Sequence, residues 1–161
     1  VSLRAYVSKA GRRPVNESVA RFVKEEEDLG LNRLDSYFQL VARINDLKSR
    51  VVNLLNDLKS QGKRIAGYGA PAKGNTLLHY FGIGSETLEH MTEELPPKIG
   101  LLTPKTHIPI IHVSESRKNP PDYYLMLAWN SHDAIIRNEH EFLARGGKFI
   151  MPIKTGNIIG K

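Results

Sequence analysis

A short apolar segment that runs without pause into a cluster of glycines constrains this chain more than any other stretch. It reads Ile65-Ala66-Gly67-Tyr68-Gly69-Ala70-Pro71-Ala72-Lys73-Gly74-Asn75-Thr76, followed by the helical-looking Leu77-Leu78-His79-Tyr80-Phe81. The order is that of strand, tight turn and helix. Such a turn sets backbone N–H groups and a helix N-terminus at the mouth of a sheet, an arrangement suited to phosphate. Gly67, Gly69 and Gly74 permit positive φ or close backbone approach, and Lys73 adds a point charge. An α/β domain that recognises a nucleotide is the expectation.

The rest of the chain supports that class. Residues 63–68, 88–92, 107–113, 122–129 and 148–153 read as strands, interleaved with helices over 75–81 and from Asn130 or Ser131 to Ala144. Alternation of this kind predicts a Rossmann-like α/β fold, a mainly parallel three-layer sheet. A long helix precedes it, since Leu34, Tyr37, Val41, Ile44, Val51, Leu55 and Leu58 recur at helical spacing from about residue 32 to 59. At 1.5 Å per residue that helix is roughly 40 Å long. Its seam suits packing along the sheet or against a neighbouring domain, and its length also suits a homodimeric coiled coil. An earlier, shorter helix is capped by Asn16 or Ser18 and ends at Gly30. Ser2-Leu3-Arg4-Ala5-Tyr6-Val7 reads as a strand, and with Val1 rather than Met at the start it suggests a piece of a longer polypeptide.

Composition narrows the partners. The 161 residues hold no cysteine, which excludes disulfides and thiolate metal sites and suits a cytoplasmic protein. No apolar run approaches the roughly 18 residues that cross a bilayer, so no membrane partner is expected. The net charge of +6 favours anionic ligands. The basic residues are dispersed, without the aromatic interleaving of a nucleic-acid ribbon, so nucleic acid is not expected as the main partner.

In open parallel sheets ligands bind beyond the carboxyl ends of the strands. That rule selects residues 67–75, 92–94, 129–132 and the tail after Ile153. Gly67-Tyr68-Gly69-Ala70-Pro71-Ala72 meets the relaxed G-x-G-x-x-[GA] dinucleotide pattern, with Glu89 or Glu93 as ribose partner. This leaves an NAD(P)-binding module of an oxidoreductase as one alternative, and a non-catalytic assembly domain as another. Lys73 comes before the second glycine of the G-x4-G spacing and no G-K-[ST] follows, which argues against a Walker loop. The same glycines also serve if they do no more than tighten a strand–helix turn. Trp129 and Asn130 end a buried strand and offer a stacking ring and a donor–acceptor amide; core packing and helix capping are the plainer roles. His107 and His112, five apart on one predicted strand, point to opposite faces and cannot share a metal. His107 and His132 are the histidines placed where a ligand edge is expected. No catalytic constellation stands out.

Three segments in order, Gly67 to Thr76 above, Thr103-Pro104-Lys105-Thr106-His107-Ile108-Pro109 and Asp122-Tyr123-Tyr124-Leu125-Met126-Leu127-Ala128-Trp129-Asn130, resemble the C-terminal domain of the sugar C-methyltransferases. The resemblance implies a domain that binds a nucleotide-linked keto-deoxysugar. The catalytic base and the S-adenosylmethionine site would lie in a preceding methyltransferase domain, with a zinc-binding domain before that. It implies no cofactor of this fragment's own, and binding without catalysis when the fragment is alone. It assigns residues 1–14 to the trailing strand of the preceding domain, 15–61 to a helical segment and 62–161 to the Rossmann-like domain. The expected substrate-binding residues are Gly67, Tyr68, Gly69, Ala70, Pro71, Lys73, Gly74, Asn75, His107, Trp129, Asn130 and His132, with no catalytic or metal-ligating residue. The family's common Asp-x-Asn-Pro-x-Lys-x-Gly pattern reads Thr92-Glu93-Glu94-Leu95-Pro96-Pro97-Lys98-Ile99-Gly100 in this chain.

Overall fold

A computed structural model describes residues 3–153 and 157–160. They form two units, the first ending at Arg43 and the second beginning at Ile44.

The first unit contains helix α1, Glu17–Asp28. The Asn16 side chain caps it by accepting from the Ser18 N–H at 2.9 Å. Gly30, at φ +70°, lies just past its end. Helix α2, Leu34–Ser60, runs across the unit boundary, and its length matches the periodic seam read from the sequence. Residues 3–7 carry no regular structure, contrary to the expected strand. A strand needs a neighbour to satisfy its N–H and C=O groups, and these residues belong to no sheet pairing.

In the second unit six strands form one sheet: β1 Ile65–Tyr68, β2 Met91–Glu93, β3 Ile110–His112, β4 Tyr123–Met126, β5 Lys148–Met151 and β6 Asn157–Ile159. Their order across the sheet is β3-β2-β1-β4-β5-β6. All neighbours are parallel except β6, which pairs antiparallel with β5 and was not expected from the sequence. β1 and β4 are buried throughout, as central parallel strands are. One face of the sheet packs Ile65, Leu125, Leu127 and Ile150 against Val51, Leu55 and Leu58 of α2 and Leu77, Leu78 and Phe81 of α3, Ala72–Phe81. The other face packs Ala66, Tyr68, Tyr124, Met126 and Phe149 against α4, Val113–Lys118, α5, His132–Asn138, and α6, His140–Ala144. The expected mainly parallel, three-layer architecture with a long preceding helix is present.

Several boundaries differ from the reading by pattern. α3 begins at Ala72, three residues early, because Pro71 has a φ (−77°) already fit for a helix start and needs no donor there. α4 was not anticipated; His112 caps it by accepting from Ser114 N at 3.2 Å. β4 stops at Met126, and Trp129 opens a short 3₁₀ turn, Trp129–Ser131. Neither Asn130 nor Ser131 caps the next helix with its side chain. The single helix expected up to Ala144 is broken at Glu139, whose carboxylate turns inward. His107 is not on a strand: its φ is +51°, within the turn that leads into β3. The expected ligand-edge tail after Ile153 falls partly outside the described residues, and 157–159 form β6.

Candidate functional site

β2 and β3 lie on one side of β1, and β4 to β6 on the other. The order therefore reverses between β1 and β4, and in open α/β sheets such a switch point is where a ligand crevice forms, beyond the carboxyl ends of the two strands. The turn after β1 and the turn after β4 form its walls. Leu127 and Ala128 donate their N–H groups to the Tyr68 carbonyl at 3.0 and 3.2 Å, which draws the two turns together. Gly69 has φ +83°, and a Cβ there would stand 2.7 Å from the Ala128 methyl. Gly74, in the first turn of α3, would place a Cβ 3.0 Å from Leu127 Cβ. A Cβ on Gly67 would run into the Met91 side chain, which is fully buried. All three glycines are thus needed to let helix, turn and neighbouring strand approach, the plainer of the two readings the sequence left open. The Gly69 N–H is already used, donating to Thr92 Oγ1 at 3.1 Å.

What remains for a ligand is the start of α3. Pro71 provides no side-chain cap, so the N–H groups of Ala72 and Lys73 have no partner within the helix and point outward with the positive end of its dipole. Lys73 Nζ lies 4.8 Å from the centre of the Trp129 ring, and among the described residues no carboxylate pairs with it. Trp129 is half-buried, and its backbone turn is held by His132, whose Nδ1 lies 3.1 Å from the Trp129 carbonyl and whose Nε2 lies 3.0 Å from Asp133. Asn130 is exposed beside it. Asn75 Oδ1, in the first turn of α3, is buried without a hydrogen-bond partner among the described residues. Lys73 at the start of α3 and Trp129, Asn130 and His132 after β4 thus lie together, with Asn75 in the same first turn of α3 as Lys73.

A further element was not found from the pattern. Lys98 donates to Glu93 Oε2 at 2.8 Å and to the Ala70 carbonyl at 3.1 Å, clamping the loop after β2 onto the glycine turn. Glu93 Oε1 also accepts from the N–H groups of Glu94 and Leu95. Burial opposes ionisation of Glu93, but these hydrogen bonds outweigh it and hold the carboxyl below its usual range. Glu89 is engaged as well, paired with Arg64 at 2.9 Å. Both acidic candidates for a ribose contact are therefore committed elsewhere. The sequence signal for Lys98 was its place in the Pro96-Pro97-Lys98 segment, but the partner it grips is 28 residues away.

Two expected residues point elsewhere. The Tyr68 ring packs against Tyr124 and Phe149, and its hydroxyl donates to Glu139 at 2.7 Å on the α4–α6 face of the sheet. Burial, reinforced by the Glu139 carboxylate, pushes the Tyr68 phenol far above its ordinary value. Glu139 is 3% exposed and also accepts from Arg117 Nε at 3.0 Å. His107 sits in the turn before β3, at the amino-terminal edge of the sheet. That same turn receives His79, near the end of α3, at 2.8 Å from the Pro104 carbonyl. The structure does not bring His107 to the crevice.

The profile of the C-methyltransferase C-terminal domain matches residues 2–154 of this chain. The chain belongs to that family. It is similar to C-methyltransferase NovU of Streptomyces niveus, with 35% identity over 145 residues, which cover 90% of this chain and 34% of that protein. The chain thus spans about a third of the length of this relative. No described helix is long and apolar enough to cross a membrane.

Proposed function

We propose that this domain holds and orients the substrate of an S-adenosylmethionine-dependent C-methyltransferase, and that the substrate is a nucleotide-linked keto-deoxysugar. The observation that carries the reading is the uncapped start of α3 at the β1/β4 crevice, with Lys73 and Trp129 in contact beside it. In this reading the Ala72 and Lys73 amides and the Lys73 ammonium receive the diphosphate. The Trp129 face stacks on a base or sugar ring, while Asn75 and Asn130 offer amides to hydroxyls. Gly67, Gly69, Ala70, Pro71 and Gly74 shape the turn, and His132 steadies Trp129. Tyr68 acts only through its backbone, and His107 stays outside the site.

S-adenosylmethionine would supply an electrophilic methyl group from the preceding domain, where the base that deprotonates the carbon next to the keto group also belongs. Glu93 and Glu89, the two carboxylates placed by the dinucleotide pattern to take a ribose, are both engaged, which disfavours NAD(P) on that pattern. No group of metal-ligating side chains gathers among the described residues, and zinc likewise enters no step here. This domain's contribution is orientation and exclusion of water, effects that together are worth several kcal/mol of barrier. A location in the cytoplasm accords with the proposed substrate.

An amide NMR titration with dTDP, GDP, NADH and S-adenosylmethionine, added separately, tests the reading. We expect shifts at residues 72–75 with dTDP or GDP and none with S-adenosylmethionine. Lys73→Ala should weaken binding by about 1–2 kcal/mol, the scale of one charge-assisted contact. A response to NADH alone would favour the dinucleotide alternative, and unchanged affinity in the variant would remove Lys73 from the site.

A further inference from the structure

The first unit leaves its apolar side chains in water. α1 has no buried residue, yet Val19, Phe22 and Val23 stand at helical spacing and are 51%, 45% and 50% exposed. The opposite flank carries the solvated pairs Arg21–Glu25 and Lys24–Asp28. The first two turns of α2 repeat the pattern with Leu34, Tyr37, Phe38 and Val41, of which Phe38 is 63% exposed. Among residues 3–43 only Gly30 is buried. A 12-residue helix is marginal in water without tertiary cover, so these two stripes call for an occupant.

The occupant can be chosen from what is on either side. The later half of the α2 seam, Val51, Leu55 and Leu58, is consumed by the core of the second unit. The exposed remainder, residues 34–41, is barely more than one heptad, whereas a coiled coil needs at least three or four. A second copy joined through the long helix is therefore poorly served. The relative is about three times as long as the matched segment, and the family is by its description a C-terminal domain, so the additional chain precedes it. A segment tethered in this way acts at an effective concentration of about millimolar without needing a separate partner.

We propose that the stripes Val19/Phe22/Val23 and Leu34/Tyr37/Phe38/Val41 are the docking surface for an apolar face of the preceding part of the same polypeptide. The inference rests on family membership and is independent of which ligand fills the crevice. The test is site-specific photocrosslinking in the full-length protein, with p-benzoylphenylalanine replacing Phe22 or, separately, Phe38, and a control at the solvated Glu25. The expected result is a crosslinked species of monomer mass, mapped by mass spectrometry to residues before this domain from positions 22 and 38 but not from 25. A species of dimer mass would assign the surface to a second copy. Crosslinks confined to this domain would mean that the stripes pack on the domain itself, and none at all that they stay open. Either result overturns the proposal. Hydrogen exchange on the full-length Phe38→Asp variant gives a second reading: docking predicts loss of protection in α1 while β1, β4 and β5 keep theirs. Unchanged protection in α1 would also sink it.

Discussion

At Gly67, Met91 and Leu127 occupy the space a Cβ would need, which by itself accounts for a glycine there whether or not a ligand approaches. From sequence the two causes look alike, since each forbids a Cβ and neither declares what stands in its place. Gly67→Ala should therefore destabilise the domain by about 1–3 kcal/mol through overpacking. A urea titration would read this as a lowered midpoint with unchanged slope. A shift below about 0.5 kcal/mol would mean that the Met91 thioether turns aside without strain. Lys73 was legible as a cation near a phosphate-suited turn. Its seat over Trp129 was not, because those residues lie on different turns and meet only when β1 and β4 pair.

Among the elements, the turn after β1 is held from two directions. Thr92, at the middle of β2, takes the Gly69 N–H, and Lys98 takes the Ala70 carbonyl. Thr92→Val keeps the shape of the side chain but leaves a partly buried N–H without an acceptor, at a cost of about 1–3 kcal/mol. Thermal unfolding of that variant should show a lower midpoint; an unchanged one would mean that water replaces the hydroxyl. The division of α5 from α6 teaches the same lesson from the other side. Apolar periodicity across residues 132–144 suggests one helix, but the chain bends at Glu139 to bring its carboxylate to Arg117 and Tyr68. Those partners are 22 and 71 residues distant, beyond the reach of any local pattern.

Across the whole molecule, buried titratable groups set the pH range of stability. Burial lowers the His90 pKa below its ordinary value of 6.5, with Arg64 adding to the effect and Glu89 opposing it. The unfolded chain therefore takes up this proton first, and stability should fall as pH drops below about 6.5. Tyr68 and Tyr124 are raised by burial, so the unfolded chain loses their protons first and stability should fall above about pH 10. Urea midpoints measured across this range should form a plateau with two descending limbs. Tyr68→Phe should soften the alkaline limb and His90→Asn the acid one just below the ordinary histidine value; limbs unchanged in both variants would locate the coupling elsewhere. The sequence by itself determined the α/β class, the long helix, the glycine turn and the three family segments, because helix and strand periods, turn residues and motifs are local properties. Only the tertiary structure decided the strand order, the crevice between β1 and β4, the commitment of Glu93 and Glu89, and the turning of Tyr68 and His107 away from the site. Each of these depends on which distant segments pair, and pairing is settled by burying two faces of one sheet at once.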